Sequence, residues 1–189
     1  LVATSGDIRI AAHDRASISS LAGNVSVSAG GRVAAGAAVA VNMVFDDIYA
    51  GSLRSALQAD SGNILVDAAF VRPEHLAPGL DAQISSMAVS GAVAVAGSGA
   101  NVGFAGSAVL NWMATTVRAE IAETSQDQLV KAGGVVQVRA SDASQINALA
   151  GAISVGGGGQ GLGVAVGASL VYNVLGGAPL GQGIGHRTP

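Results

Sequence analysis

Few side chains in this sequence could do chemistry, and they are widely spread. The three histidines are His13, His75 and His186. None has a second His, Asp or Glu at a helical or strand spacing that would hold a metal ion, so each is expected to be a solvated surface residue, His13 in a turn. Asp46-Asp47 is the one adjacent pair of acids. With Asp60 and Asp67 it offers the residue types used for calcium binding or glycoside hydrolysis. The simpler expectation is a polar corner that keeps an apolar chain in solution. Gly97-Ser98-Gly99 and Gly106-Ser107 lie inside apolar runs, and no Gly-x-Ser-x-Gly elbow is present. The run from Gly156 to Gly163 lacks the Lys-Ser/Thr of a phosphate loop and the Asp of a calcium-binding nonapeptide. Turn glycines between coils account for it better. Neither catalysis, nor a metal, nor a cofactor is expected.

Asn42, Asn111 and Asn173 recur at one place in successive stretches of the chain. A row of amides could be a polar binding strip. The competing expectation is structural, with Asn adopting the left-handed conformation at a corner and its amide bonding the backbone next door.

The elements that position these residues must be built from small side chains. Ala, Gly and Ser fill more than two fifths of the 189 positions, aromatics are 3% and charged residues 11%. A chain that is 50% hydrophobic is not disordered. Nine Lys and Arg against twelve Asp and Glu leave no basic surface for nucleic acid. The absence of Cys removes disulfides and thiolate metal sites. Any core must be thin, because the aromatics and long aliphatics that usually fill one are scarce.

Self-comparison shows about three copies of one unit. Ile84-Ser85-Ser86-Met87-Ala88 overlays Ile146-Asn147-Ala148-Leu149-Ala150 at an offset of 62, which also places Val102 on Val164 and Asn111 on Asn173. Gly6, Ile8, Ile10, Asp14 and Ile18 fall on Gly134, Val136, Val138, Asp142 and Ile146 at an offset of 128, and a small gap later brings Asn42 onto Asn173. The units begin near Gly6, Gly62 and Gly134, spanning about 6–61, 62–133 and a truncated 134–189. Residues 70–80, from Phe70 to Leu80 and with two of the four prolines, are expected to be a loop projecting from the second unit. Each unit opens with a turn and an alternating strand, as in Gly6-Asp7-Ile8-Arg9-Ile10, where glycine supplies a positive φ at low cost. Helical period is sustained only over Ser52 to Leu57 and Thr115 to Val130.

Short strands with glycine corners in repeats of this length predict an all-β chain, a single parallel β-helix over 1–189. At roughly 20 residues per coil, each unit would hold about three coils. Two stretches without formal charge, Ala82 to Val117 and Ala143 to His186, exceed the roughly 20 residues of a membrane helix. They alternate small with β-branched residues, which is a strand signal. A membrane barrel wants aromatic girdles at both interfaces, and six aromatics scattered along the chain do not supply them. No membrane insertion is expected.

The order Gly-Asp/Asn-Ile-x-Val-x-Ala, then Asp-x-x-x-Ile-x-x-Leu-Ala-Gly-x-Ile-Ser-Val, then Gly-x-Gly-Val-Ala-x-Gly-Ala-x-x-Val-x-Asn, fullest over Asp142 to Asn173, resembles the repeat region of large bacterial surface proteins. These are the filamentous-haemagglutinin-like and leukotoxin-like adhesins, many exported by two-partner secretion. The resemblance implies a secreted or outer-membrane-associated location and a filamentous β-helix stalk serving cell adhesion and virulence. It implies as partners the neighbouring coils of a longer chain and host or matrix glycans and proteins; apolar Leu1-Val2-Ala3 and a Gly-rich tail from Gly176 to Pro189 without a capping helix lead to the separate expectation of end-to-end association. A β-helix enzyme acting on polysaccharides and a membrane-active toxin segment are the alternatives.

Overall fold

The computed structural model describes residues 1–30, 32–72, 82–122 and 129–176. Strand makes up 77% of them, and no helix occurs among them. The first coil comprises β1 (Val2–Ala3), β2 (Ile8–Asp14), β3 (Ile18–Ala29) and β4 (Val33–Leu53). The second comprises β5 (Leu57–Ala59), β6 (Ile64–Phe70), β7 (Ile84–Ala96) and β8 (Asn101–Ala122). The third comprises β9 (Val130–Ala132), β10 (Val136–Asp142), β11 (Ile146–Gly158) and β12 (Gly163–Leu175). Strands pair only with their counterparts in the next coil, giving four parallel sheets ordered β1-β5-β9, β2-β6-β10, β3-β7-β11 and β4-β8-β12. The chain is a parallel β-solenoid of three coils.

The repeat offsets are the ladder register. Ile84 lies opposite Ile146 and Val102 opposite Val164, each 62 residues apart. Ile64 links Ile8 to Val136, the offset of 128. The number of coils differs from the expectation. Each unit is one coil, not three, because its strands are long: seven residues in β2, twelve in β3 and 21 in β4 are all spent on a single circuit. At ~4.8 Å between strands the three coils stack over roughly 10 Å.

Each coil has two parts with different interiors. In the head, β2, β6 and β10 face the second half of the β4 and β8 strands. Here the core is Val44, Ile48, Val66, Phe70, Ile84 and Met113, with Ile8, Leu57 and Ile64 beside it. In the rest, which we call the fin, the β3-β7-β11 sheet packs on the first half of the β4-β8-β12 sheet. Its core is almost all alanine: Ala34, Ala92, Ala94 and Ala105 in one cluster, Ala38, Ala40 and Ala88 with Val109 in another. Small inner side chains let the two sheets come very close. A Cβ added to Gly36 would run into the Gly91 carbonyl of the opposite sheet.

Several local expectations are corrected. Phe70 is not part of the projecting loop; it ends β6 in register with Asp14 and Asp142, and it is the largest fully buried side chain. The extra residues of the second unit follow it, and residues 73–81 lie outside the described set. Gln83 at their far end is buried and bonds the carbonyls of Val71 and Ala143. The segments with helical period are not helix where they are described: Ser52 and Leu53 end β4, residues 54–56 turn into β5 at Leu57, and residues 115–122 end β8. β-Branched Thr115, Thr116 and Val117 favour that outcome. The run from Gly156 to Gly163 turns within a coil, not between coils, at the tip of the fin where β11 passes to β12.

Candidate functional site

Two ladders cross the coils at the recurring positions. The first is at the corner that opens each unit. Asp7 Oδ1 accepts from the backbone and side-chain amides of Asn63, at 2.7 and 3.0 Å, and Asn63 Oδ1 in turn accepts from the Val135 backbone at 2.9 Å. Gly6, Gly62 and Gly134 precede these residues. Only Gly6 has the expected positive φ, 91°. Gly62 and Gly134 are needed for another reason. A Cβ on Gly62 would collide with the Gly6 carbonyl, and one on Gly134 with the Asn63 side chain. Coil stacking leaves no room for a side chain there.

The second ladder is Asn42, Asn111 and Asn173. These residues are not at a corner and do not bond a neighbouring backbone. They stand mid-strand in β4, β8 and β12, in register and pointing between the two sheets of the fin. Asn42 Nδ2 donates to Asn111 Oδ1 and Asn111 Nδ2 donates to Asn173 Oδ1, both at 2.8 Å. Serines of the facing sheet complete the set: Ser20 Oγ accepts from Asn42 at 2.9 Å, and Ser86 Oγ from Asn111 at 2.8 Å. With Asn42 and Asn111 buried, the ladder offers no binding strip along their coils. Its role is to fix register, since a slip of one residue would turn the amides outward and strand the serines.

The acids are dispersed by the fold. Asp67 accepts from or donates to no other acid; it meets His13 at 2.7 Å on the neighbouring strand of the head. His13 is therefore a strand residue of β2 with a carboxylate partner in the next coil, a contact hidden from sequence spacing because 54 residues separate the two. Asp60 accepts from Gln58 Nε2 at 2.6 Å. Asp46 and Asp47 lie mid-strand in β4, not at a corner, and point to opposite faces. Asp46 is turned inward beside Asp14. Partial burial first, then the Asp14 carboxylate, hold its carboxyl above the usual range. Asp14 Oδ1 meanwhile accepts from the backbone of Ala16 at 3.1 Å and closes the turn into β3, as Asp142 does for Ser144 at 2.9 Å in the third coil. On the outer surface, partial desolvation and then Glu120 push the Tyr49 hydroxyl up, with Arg118 over the ring at 5.8 Å. No three His, Asp or Glu residues gather at metal-binding distance among the described residues. His75 and His186 lie outside them.

The remaining feature is the end of the stack. Val109 and Met113 of the second coil are 0% exposed, while their register partners in the third, Val171 and Leu175, are 40% and 59% exposed. β12 packs on β11 of its own coil, but no described residue stacks beyond it as a next coil would. The amide ladder also ends there, with Asn173 accepting from Asn111. Compared with family models, with curated proteins and with solved structures, the chain has no match.

Proposed function

We propose that the chain is a structural stalk segment of a secreted or surface-displayed bacterial adhesin, mediating adhesion or matrix contact without catalysis. The observation that carries this reading is the third coil, which no described residue covers. Val171 and Leu175 continue a column of side chains that is fully buried one coil earlier, so they present an unfinished core to a following coil. Solenoids gain stability from each interface with the next repeat, and an uncapped end exposes both apolar surface and unpaired strand edge. The partner supplied in this reading is another coil, from a longer chain or from a second copy. Asp14 and Asp142 each close a turn, and Asp60 and Asp67 bond Gln58 and His13.

Sedimentation at micromolar concentration tests it. The chain is expected to form end-to-end species, and Val171→Asp with Leu175→Lys should abolish them while preserving a β-type circular dichroism spectrum. A stable monomer with no larger species overturns the reading. Asp46→Ala and Asp47→Ala are expected to leave surface binding unchanged, and loss of a hydrolytic activity in either would overturn the non-catalytic part.

A further inference from the structure

We infer that the outer faces of the fin are a lipid-contacting surface: the fin enters the hydrocarbon of a bilayer while the charged head remains in water. The first observation is an inverted alternation. Between the two sheets of the fin lie alanines, Ser20, Ser86, Ser107 and the asparagine ladder. On the outside the side chains are larger and apolar. Val41, Phe104 and Leu170 of the β4-β8-β12 sheet are 54%, 47% and 59% exposed, and Leu21, Val25 and Ile153 of the other sheet are 74%, 77% and 67% exposed. A water-facing sheet puts its apolar residues inward. Strands that carry apolar residues outward and small or polar ones inward are those that face lipid.

The second observation is where charge and aromatic rings stand. Arg32, at the tip, is the one charged side chain among the described residues of the fin. The charge-free stretches of the sequence are the fin strands of the second and third coils. Moving from tip to head along the outer face of β4-β8-β12, the register places Tyr172 beside Leu110 and level with Val41, then Trp112 beside Met43, then Phe45, and the next outward residue is Asp47. Phe45 and Trp112 touch, with ring centroids 6.3 Å apart. Tyr172, Trp112 and Phe45, three of the six aromatics, thus form one diagonal line at the boundary of apolar and charged surface. That is the position of an interfacial belt. The opposite face changes at the same height. The Asn42–Ser20 bond sets Ser19 level with Met43, and Ser19 and Asn147, on either side of the buried Ser85, are the last polar residues before that face becomes apolar.

Dimension and area agree. Ten residues separate Met43 from Val33 at the tip, about 33 Å at ~3.3 Å per residue, against a hydrocarbon core of ~30 Å. Arg32 is then carried across, where its long stem can reach the far headgroups. A second copy docked face to face fits less well. Three strands ~4.8 Å apart and this length give roughly 1,000 Å² in total over both partners, below the ~1,200 Å² of small specific interfaces. It would also cover only one of two apolar faces, whereas hydrocarbon covers both. No helix among the described residues is long and apolar enough to cross a membrane. Unpaired strand edges are not tolerated in hydrocarbon. Stacking pairs every edge except those of the two end coils, which need partners of their own in an inserted form, and the inference rests to that extent on the stacking reading above.

Trp112, the one tryptophan, is a built-in probe. The full chain is mixed with phosphatidylcholine vesicles, whose neutral surface removes charge attraction. Trp112 emission should shift to the blue, and lipids brominated near the headgroup should quench it more than lipids brominated deep in the acyl chain. In a Trp112→Phe background, Leu170→Trp should reverse that order. Val41→Arg with Leu110→Arg should lower vesicle partitioning about thirty-fold or more. If those variants do not fold, the quenching order in the unaltered chain and in Leu170→Trp still decides. Unchanged emission at saturating lipid, with end-to-end species intact in sedimentation, overturns the lipid inference alone. Unchanged emission with a stable monomer overturns both readings. A lipid-independent dimer abolished by Val41→Arg would reassign the faces to a second copy.

Discussion

Replacing Asn111 with alanine tests whether the amide ladder holds the fin in register. Asn111 is 2% exposed and sits in the middle coil, where it gives to Ser86 and Asn173 and accepts from Asn42. The substitution leaves Ser86 Oγ buried without a partner, which costs ~1–3 kcal/mol, and strips one acceptor from Asn42, which keeps Ser20. The vacated volume between tightly packed alanines adds to this. The expected loss is ~3 kcal/mol. Asn173→Ala should cost only ~0.5 kcal/mol, since that residue is at the open end where water replaces its bonds. Urea unfolding followed by circular dichroism measures both. With m near ~2 kcal/mol/M the midpoint should fall by about 1.5 M for Asn111→Ala, with m unchanged. Adding Ser86→Ala should recover ~1–2 kcal/mol, because a pair of matching apolar groups leaves nothing orphaned. Equal costs at the two asparagines, or no coupling between Asn111 and Ser86, would refute the reasoning.

Two smaller tests concern the corner glycines and the inward acid. Gly62→Ala should destabilise by ~3 kcal/mol, because its Cβ meets the Gly6 carbonyl of the adjacent coil, whereas Gly97→Ala, with open space around it, should change stability by less than ~1 kcal/mol; equal midpoints in urea would contradict the close coil contact. Asp46 has its carboxyl raised by burial and by Asp14, so the folded state holds its proton to higher pH than the unfolded state does. Its contribution therefore disfavours folding increasingly as pH rises from the unfolded value of ~3.8 through the raised one. Asp46→Asn should raise the melting temperature at neutral pH and lose that advantage below the carboxylate range; a constant difference across that pH range would contradict it.

What was legible in the sequence is what repetition encodes. The offsets of 62 and 128 are the strand register itself, because a parallel solenoid places equivalent residues of successive coils side by side. The gap that brings Asn42 to Asn173 is the different length of the fin tip in the first coil. Repetition says nothing about how far the chain travels before a coil closes. That depends on where strands bend, and β4 runs 21 residues from fin into head with no proline or glycine cluster to mark the passage. The count of coils was lost there. Nothing in the sequence separates Phe70 from the extra, proline-containing residues that follow it, yet its register partners Asp14 and Asp142 close turns at the same point of the other coils. The His13–Asp67 contact was likewise invisible until the coil was closed.

The phase of the alternation was the other hidden quantity, and it has the larger consequence. Period two shows that a strand has two faces; it does not say which one is inside. In the head the usual rule decides: Ile8, Ile64, Val66 and Ile84 turn inward and Arg9, Asp67 and Arg139 outward. Continued along β3 and β4, the same rule would bury Leu21, Val25, Val39 and Val41 and expose alanine and serine. The structure does the reverse. Each strand passes from head to fin without a bulge, so the phase set by Val44 and Ile48 in the head core carries on to Asn42, Ala40 and Ala38. A strand cannot change faces without an extra residue. The asparagine ladder pins this phase because an amide column is satisfied between the sheets and not on the outer face of an apolar wall. The thin core inferred from composition is thus real only in the fin, where the large apolar residues have been sent to the surface. Whatever covers that surface must be apolar on both sides of a two-sheet wall and must end where Phe45 and Trp112 give way to Asp47 and Arg118.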